Sequence, residues 1–96
     1  ADGTAPLYMA SQNGHVGVVE ALLAAKADVN AALTKDGRTP LMAAALTGQV
    51  AVAKALLNSG ADPQLRTTGA YRVTAMFMAE LNGHREVIEL LRSHCS

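Results

Sequence analysis

The amino-acid sequence predicts an all-α fold, an α-solenoid of three tandem units that each contain two short helices. Half of the 96 residues are apolar but only 3% are aromatic, so the core must be built from Ala, Leu, Val and Met. The chain also aligns with itself at offsets of 34 and then 35 residues. Helices this short are unstable alone and must bury their apolar faces on the neighbouring unit, which produces a solenoid.

The internal repeat is supported by matched Gly, Pro, Asp and His residues, since matched alanines would carry little weight in so alanine-rich a chain. We expect one domain, 1–96, with units at about 2–35, 36–69 and 70–96. Units 1 and 3 also share an Asn-Gly-His tripeptide at 13–15 and 82–84. The matched positions include Asp2-Gly3 and Asp36-Gly37, Pro6-Leu7 and Pro40-Leu41, and Gly14, Gly48 and Gly83.

The first helix of the middle unit has a clear start and end. Thr39 is a predicted N-cap, and Pro40 follows at the first helical position, where a missing N–H costs nothing. The helix then runs from Leu41 to about Thr47 and stops at Gly48.

The second helix of that unit spans about Val50–Asn58, and Gly60 is the expected left-handed C-cap. Its inner face carries pairs of apolar residues one turn apart, Val52 with Leu56 and Ala53 with Leu57. The connector after each helix pair contains a turn, such as Asp36-Gly37, and should project as a hairpin-like finger.

These motifs resemble ankyrin repeats over nearly the whole chain. The family stretch Gly-x-Thr-Pro-Leu-His-x-Ala corresponds to residues 37–44, and Gly-His-x-x-Val-Val-x-x-Leu-Leu corresponds to residues 14–23. The closing Gly-Ala-Asp corresponds to residues 60–62. The resemblance implies a protein-interaction module that binds through its fingers and the concave face of the first helices.

The chain departs from the family pattern at several positions. The histidine of the first helix is replaced by Tyr8, Met42 and Phe77, and we expect Met42 and Phe77 to pack rather than to contact a partner. Lys26 stands where the C-cap glycine belongs. Unit 3 has Arg72 in place of the finger glycine, so its finger should take a different turn.

The resemblance also implies the partner-binding positions, which lie on the fingers and along the groove. They are Asp2, Thr4, Gln12, Asn13, Lys35, Asp36, Arg38, Leu46, Thr47, Tyr71, Arg72, Val73, Leu81 and Asn82. Two alternatives stay open: a structural spacer or self-associating segment of a longer array, or a substrate-recruiting arm of a larger enzyme.

The composition of the chain limits the classes of partner that it is expected to bind. Eight basic and eight acidic residues cancel, which predicts no binding to nucleic acid or to a membrane surface. No secretion leader is visible, and Cys95 has no second cysteine to pair with, so we expect a cytoplasmic or nuclear protein. We expect a monomer, with self-association through the N-terminal end as the alternative, because Val16, Val18 and Val19 have little polar cover there.

No catalytic or metal-binding constellation is evident, so the sequence predicts no enzyme, no cofactor and no metal. His15 and His84 occupy the structural Gly-His position at helix starts. His94 and Cys95 are too few ligands for zinc and are expected in a frayed C-terminus. Ser11 has no histidine and carboxylate at a recognisable spacing.

One modification site is suggested by spacing. Asn30 follows Leu22 by eight residues, an acid by two and Val29 by one, which is the pattern that ankyrin proteins present to an asparagine hydroxylase. The structural alternative is that the Asn30 side chain closes the connector by hydrogen bonds to the backbone.

Overall fold

The helices alternate between two layers. A computed structural model of the protein describes residues 4–32, 37–68 and 72–95. Those residues form six helices in three pairs: α1 (Thr4–Asn13) and α2 (Val16–Ala24), α3 (Pro40–Thr47) and α4 (Val50–Asn58), and α5 (Ala75–Leu81) and α6 (Arg85–Cys95). Helices α1, α3 and α5 pack side by side in one layer, and α2, α4 and α6 in the other. This stacking of neighbours confirms the predicted α-solenoid.

The core runs through all three helix pairs. Small side chains at the contacts let helix backbones approach closely, and Ala44, Ala53 and Ala79 are fully buried. Large apolar side chains that are fully buried include Leu7, Val19, Leu41, Met42, Val52, Leu56, Val87 and Leu91. Burial of each such side chain contributes about 1.5–3 kcal/mol, and these contacts hold helices that would not form alone.

Helix α3 begins and ends as predicted. The backbone N–H of Met42 donates to Thr39 Oγ1 (3.4 Å), and the Thr39 N–H donates to Met42 Sδ (3.5 Å). Gly48 ends the helix in the left-handed conformation, with φ 75°. Met42 is buried, as expected for a packing residue, and its sulfur completes the N-terminal cap.

Helix α4 has the predicted bounds, but its C-cap is Ser59, and the left-handed Gly60 (φ 96°) follows it. Lys26 holds the equivalent place after α2 and is also left-handed, with φ 68°. The left-handed conformation costs a lysine about 1–2 kcal/mol, because its Cβ lies too close to the following carbonyl oxygen.

Asn30 ties the first connector to the second. The backbone N–H of Asp62 donates to Asn30 Oδ1 (2.7 Å), and Asn30 Nδ2 donates to the carbonyl oxygen of Gly60 (3.4 Å). Asp28 Oδ1 accepts from the Asn30 N–H (3.0 Å), which holds the turn that presents this side chain. The Asn30 side chain does bond to backbone, as predicted, but to the backbone of the second unit. The first connector is closed by the Asp28 carboxylate instead, so the prediction that the Asn30 side chain closes its own connector is wrong.

The second connector is hairpin-like where the structure describes it. Arg66 and Thr74 form an isolated antiparallel bridge, and the Thr67 N–H donates to the carbonyl oxygen of Val73 (2.8 Å). Arg72 keeps a left-handed backbone (φ 44°) at the position of Gly37 (φ 82°). An arginine thus adopts a left-handed conformation like that of the glycine it replaces. Residues 69–71 lie outside the described part, so the different turn of this finger stays a prediction.

A second tie joins the middle unit to the third. The carbonyl oxygen of Leu46 accepts from Asn82 Nδ2 (3.0 Å) and lies 3.0 Å from His84 Nε2. The His84 ring also covers Gly48, where an added Cβ would stand 2.6 Å from Nδ1. His84 therefore has the structural role that its position predicts.

The C-terminal end differs from expectation. Helix α6 continues through His94 to Cys95, so these residues are helical rather than frayed. Arg92 and His94 lie in the last turn, where positive charge is favoured by the helix dipole, and Glu86 lies in the first turn.

Candidate partner-binding groove

A groove of about 700 Å³ lies between the second connector and helix α5. One wall carries arginine and threonine side chains, and the other carries the apolar face of α5. The lining residues are Arg38, Arg66, Thr67, Thr68, Arg72, Val73, Thr74, Phe77, Met78 and Leu81. This volume is in the range of clefts that bind small molecules or peptide side chains.

The connector pairing positions the polar wall. Val73 N–H donates to Thr67 Oγ1 (2.9 Å) while the Thr67 N–H bonds back to Val73, so the two segments hold each other in register. This places Arg66 on one segment and Arg72 on the other. The two guanidinium groups are therefore carried by backbone that hydrogen bonds fix.

Helix α5 provides the apolar wall. Thr74 caps the helix by accepting the Phe77 N–H (3.2 Å), which sets the direction of its first turn. Phe77 and Leu81 are one turn apart and so share a face. They are 48% and 69% exposed, high values for such large apolar side chains.

The electrostatic character of the groove is positive. Three arginines line it, and no carboxylate does so among the residues that the structure describes. Arg38 is half-buried at its edge, whereas Arg66 and Arg72 are exposed. The groove thus combines guanidinium groups with an open apolar surface.

Four of the predicted partner-binding residues line this groove together: Arg38, Arg72, Val73 and Leu81. The others are spread along the first helices or belong to parts that are not described. Gln12 and Asn13 are exposed at the end of α1, and Leu46 and Thr47 are half-buried at the end of α3. Asp2, Lys35, Asp36 and Tyr71 lie outside the described residues, and Thr4 is described in its backbone alone.

Two of the predicted residues have their polar groups engaged inside the protein. Thr47 Oγ1 donates to the carbonyl oxygen of Ala43 (2.8 Å), and the Asn82 amide donates to Leu46. These bonds shape the end of α3 and its contact with the third unit. They leave less polar capacity for a partner at these two positions.

Sequence reasoning missed Arg66 and misjudged Phe77. Phe77 was expected to pack, but half of its surface is open to the groove, whereas Tyr8 and Met42 at the matching positions are buried. Arg66 belongs to the far segment of the connector, and its pairing with Thr74 is a tertiary contact. The turn expected between these segments was the one signal that could have placed Arg66 beside the groove.

The ankyrin-repeat family model, described as ankyrin repeats (3 copies), matches residues 1–67. The chain belongs to the ankyrin repeat family. Ankyrin repeats are generally non-catalytic protein-interaction modules. The search of curated proteins found no match to this chain.

The matched region ends before α5, so the third ankyrin repeat rests on the internal offset and on the packing of its helix pair. That repeat has Arg72 and Ala75 where the second has Gly37 and Pro40. Its helices still take their places beside α3 and α4. The bounds of about 2–35, 36–69 and 70–96 for the three repeats stay a prediction.

Metal-binding clusters and membrane-spanning helices are both absent from the described part of the chain. No group of three or more His, Cys, Asp or Glu side chains in 4–32, 37–68 and 72–95 is arranged to hold a metal ion. Within the same ranges, no helix has both the length and the apolar character that crossing a membrane requires.

Proposed function

We propose that this ankyrin-repeat chain binds a protein or peptide partner through the groove between its second connector and α5, continuing along the concave face of the first helices. The observation that carries the proposal is the exposed apolar pair Phe77 and Leu81 beside three arginines. Aromatic and arginine side chains are enriched at energetic hot spots of interfaces. A stiff solenoid also loses little entropy when a partner docks.

The test is affinity capture with paired truncations. The wild type and a Phe77→Ala, Leu81→Ala variant would be immobilised, with Lys54→Ala, Glu89→Ala, at exposed positions of α4 and α6 away from the groove, as the control. We expect a protein held by the wild type and the control to be lost from the groove variant. A partner that the groove variant retains would contradict this placement of the site.

We further propose that the chain itself catalyses no reaction, uses no cofactor, binds no nucleic acid or membrane, and works in the cytoplasm or nucleus. Support comes from the non-catalytic character of ankyrin repeats and the cancelled charge of the chain. An enzyme that uses this chain as a recruiting arm would carry its catalytic groups elsewhere. Activity assays on the isolated chain should therefore stay at background.

A second candidate function, self-association through the first repeat, is favoured by one observation. Val18 is 50% exposed, whereas Val52 and Val87 at the matching positions of the later repeats are buried. Met9 is also 50% exposed, and its counterparts Ala43 and Met78 are buried. A second copy of the chain could cover this face as each later repeat is covered by the one before it.

Light scattering across a concentration series would test this candidate. If copies associate, the mass should rise with concentration and Val18→Asp should abolish the rise. Ala51→Asp, on the exposed side of α4, is the control for added charge. A mass of one chain at all concentrations would contradict self-association and fit the monomer that we expect.

We also propose Asn30 as a hydroxylation site, which the spacing to Leu22, Asp28 and Val29 supports. Co-expression with an asparagine hydroxylase should add the mass of one oxygen atom to the intact chain. An Asn30→Ala chain should gain nothing. An unchanged wild-type mass would contradict the proposal.

A further inference from the structure

The groove concentrates positive charge in a chain that is neutral as a whole. Three of the five arginines of the sequence line it, although acidic and basic residues balance at eight each. The described carboxylates lie on other surfaces: Glu20 on α2, Glu86 and Glu89 on α6, Asp28 and Asp62 on the connectors, and Glu80 on the part of α5 outside the groove lining. The chain therefore has a local excess of positive charge at the groove although its net charge is zero.

The apolar wall gives the groove a second requirement. Leu81 and Phe77 are open along one side, and Val73 and Met78 line the groove with them. An occupant that buried these side chains would need an apolar group of its own. A ligand with charged groups alone would leave this wall exposed to water and would gain no free energy from burying apolar surface.

The backbone of Arg72 supports a role for its side chain. Arg72 stands in the left-handed region, φ 44°, where the second repeat has glycine. A non-glycine residue there costs stability, as it also does at Lys26, but Arg72 differs from Lys26 in that its side chain lines the groove. The third repeat thus presents a charged group at the groove from a position that folds better with glycine.

We propose that the groove binds an acidic peptide segment that carries a bulky apolar side chain next to its carboxylates. Guanidinium groups bind carboxylates in bidentate, charge-assisted pairs, and these set the register of the peptide. The apolar side chain packs on Phe77 and Leu81 and supplies the main gain from burial. This inference rests on the proposed function and adds the chemical class of the partner.

Nucleic acid fits these observations less well than an acidic peptide. A single patch of three arginines on a neutral chain offers few phosphate contacts, and phosphate contacts dominate nucleic-acid affinity. The exposed Leu81 has no role toward a phosphate backbone. An oligouridylate therefore serves as the competing probe in the test.

The test begins with selection of random displayed peptides on the immobilised full chain. We expect the recovered peptides to share Glu or Asp residues flanking Leu, Ile, Met or Phe. One recovered peptide is then synthesised with a fluorophore, and its dissociation constant is measured by fluorescence anisotropy. Its affinity should fall as salt rises, since exposed ion pairs are screened.

Matched charge variants locate the interaction. Arg66→Gln, Arg72→Gln should weaken binding about tenfold or more, whereas Arg85→Gln, Arg92→Gln, with the same loss of charge on α6, should change it less than about twofold. Replacing the acids of the peptide by their amides should reproduce the groove variant. Circular dichroism would verify that each variant keeps the wild-type helix content.

The outcomes separate this inference from the proposed function. Neutral apolar peptides that depend on Leu81 and not on Arg66 or Arg72 would overturn the acidic partner and leave the proposed function standing. Oligouridylate binding that the groove variant loses, with no peptide enriched, would overturn both. Peptide binding lost equally in the α6 control would also overturn the inference, because only the net charge would then matter.

Discussion

The side-chain oxygen of Asn30 lies 2.7 Å from the backbone nitrogen of Asp62, the residue that repeats Asp28 in the next unit. The same amide donates to Gly60, so one side chain satisfies two backbone groups at the end of α4. Asn30→Ala should lower the free energy of unfolding by about 1–2 kcal/mol, since both groups lose their partner. Urea denaturation would measure the change.

The matched control for Asn30 is Gln64, which holds the same place in the second repeat. Its backbone N–H bonds to Asp62 Oδ1 (2.9 Å), and its side chain is exposed. Gln64→Ala should change the stability by less than about 0.5 kcal/mol. Equal losses in the two variants would show that the bonds from Asn30 contribute little.

Lys26→Gly should stabilise the protein by about 0.5–1 kcal/mol. Relief of the left-handed strain at φ 68° exceeds the added entropy of glycine in the unfolded chain. The melting temperature should rise, and Gly60→Ala should lower it, since a Cβ at Gly60 meets no neighbouring atom and adds strain alone. An unchanged or lower value for Lys26→Gly would argue against strain at this site.

Gly48→Ala should destabilise the protein more than Gly83→Ala, by about 1–3 kcal/mol. Both glycines are left-handed, so both variants add backbone strain. A Cβ at Gly48 would also meet the His84 ring, whereas one at Gly83 meets nothing within 4 Å. Combining Gly48→Ala with His84→Ala should remove the steric part of the loss. Thermal unfolding of the wild type, Gly48→Ala, His84→Ala and the double variant would measure this part.

Ser11→Ala should raise the free energy of unfolding by about 1 kcal/mol. Ser11 is fully buried, and its hydroxyl has no hydrogen-bond partner among the described residues. The second repeat has Ala45 at this position, also fully buried. A loss of stability in guanidinium denaturation would mean that the hydroxyl is bonded after all.

Arg72→Gly should separate stability from binding. The strained residue becomes a glycine that accepts φ 44°, so the melting temperature should rise. The groove loses one guanidinium, so an acidic peptide should bind more weakly. A variant that is more stable and binds equally well would exclude Arg72 from the interface.

The sequence was sufficient for the elements whose signals are local. Thr39, Pro40 and Gly48 fix the ends of α3 by their own backbone preferences, and the structure places them as predicted. Lys26 was found in the same way, since the repeat offset puts it on a glycine position. These features depend on neighbours in the chain and on the register of the repeat.

The groove could not be predicted from the sequence, because it is formed by tertiary contacts that the alignment of the repeats does not reveal. Phe77 shares its position with Tyr8 and Met42, which are buried, and its exposure follows from what surrounds it in the third repeat. Arg66 reaches the groove because its segment pairs with Thr74. Cys95 stays helical although a lone C-terminal turn would fray, because Val87 and Leu91 anchor α6 in the core.

The carbonyl oxygen of Leu46 has a consequence for how the protein is made. Its partners Asn82 and His84 lie 36 and 38 residues further along the chain. Because synthesis runs from the N-terminus, α3 leaves the ribosome with this carbonyl bonded to water, and it stays so until the third repeat emerges. A nascent chain halted before Asn82 therefore contains a second repeat whose sequence is complete but whose hydrogen bonds to the third repeat are not yet formed.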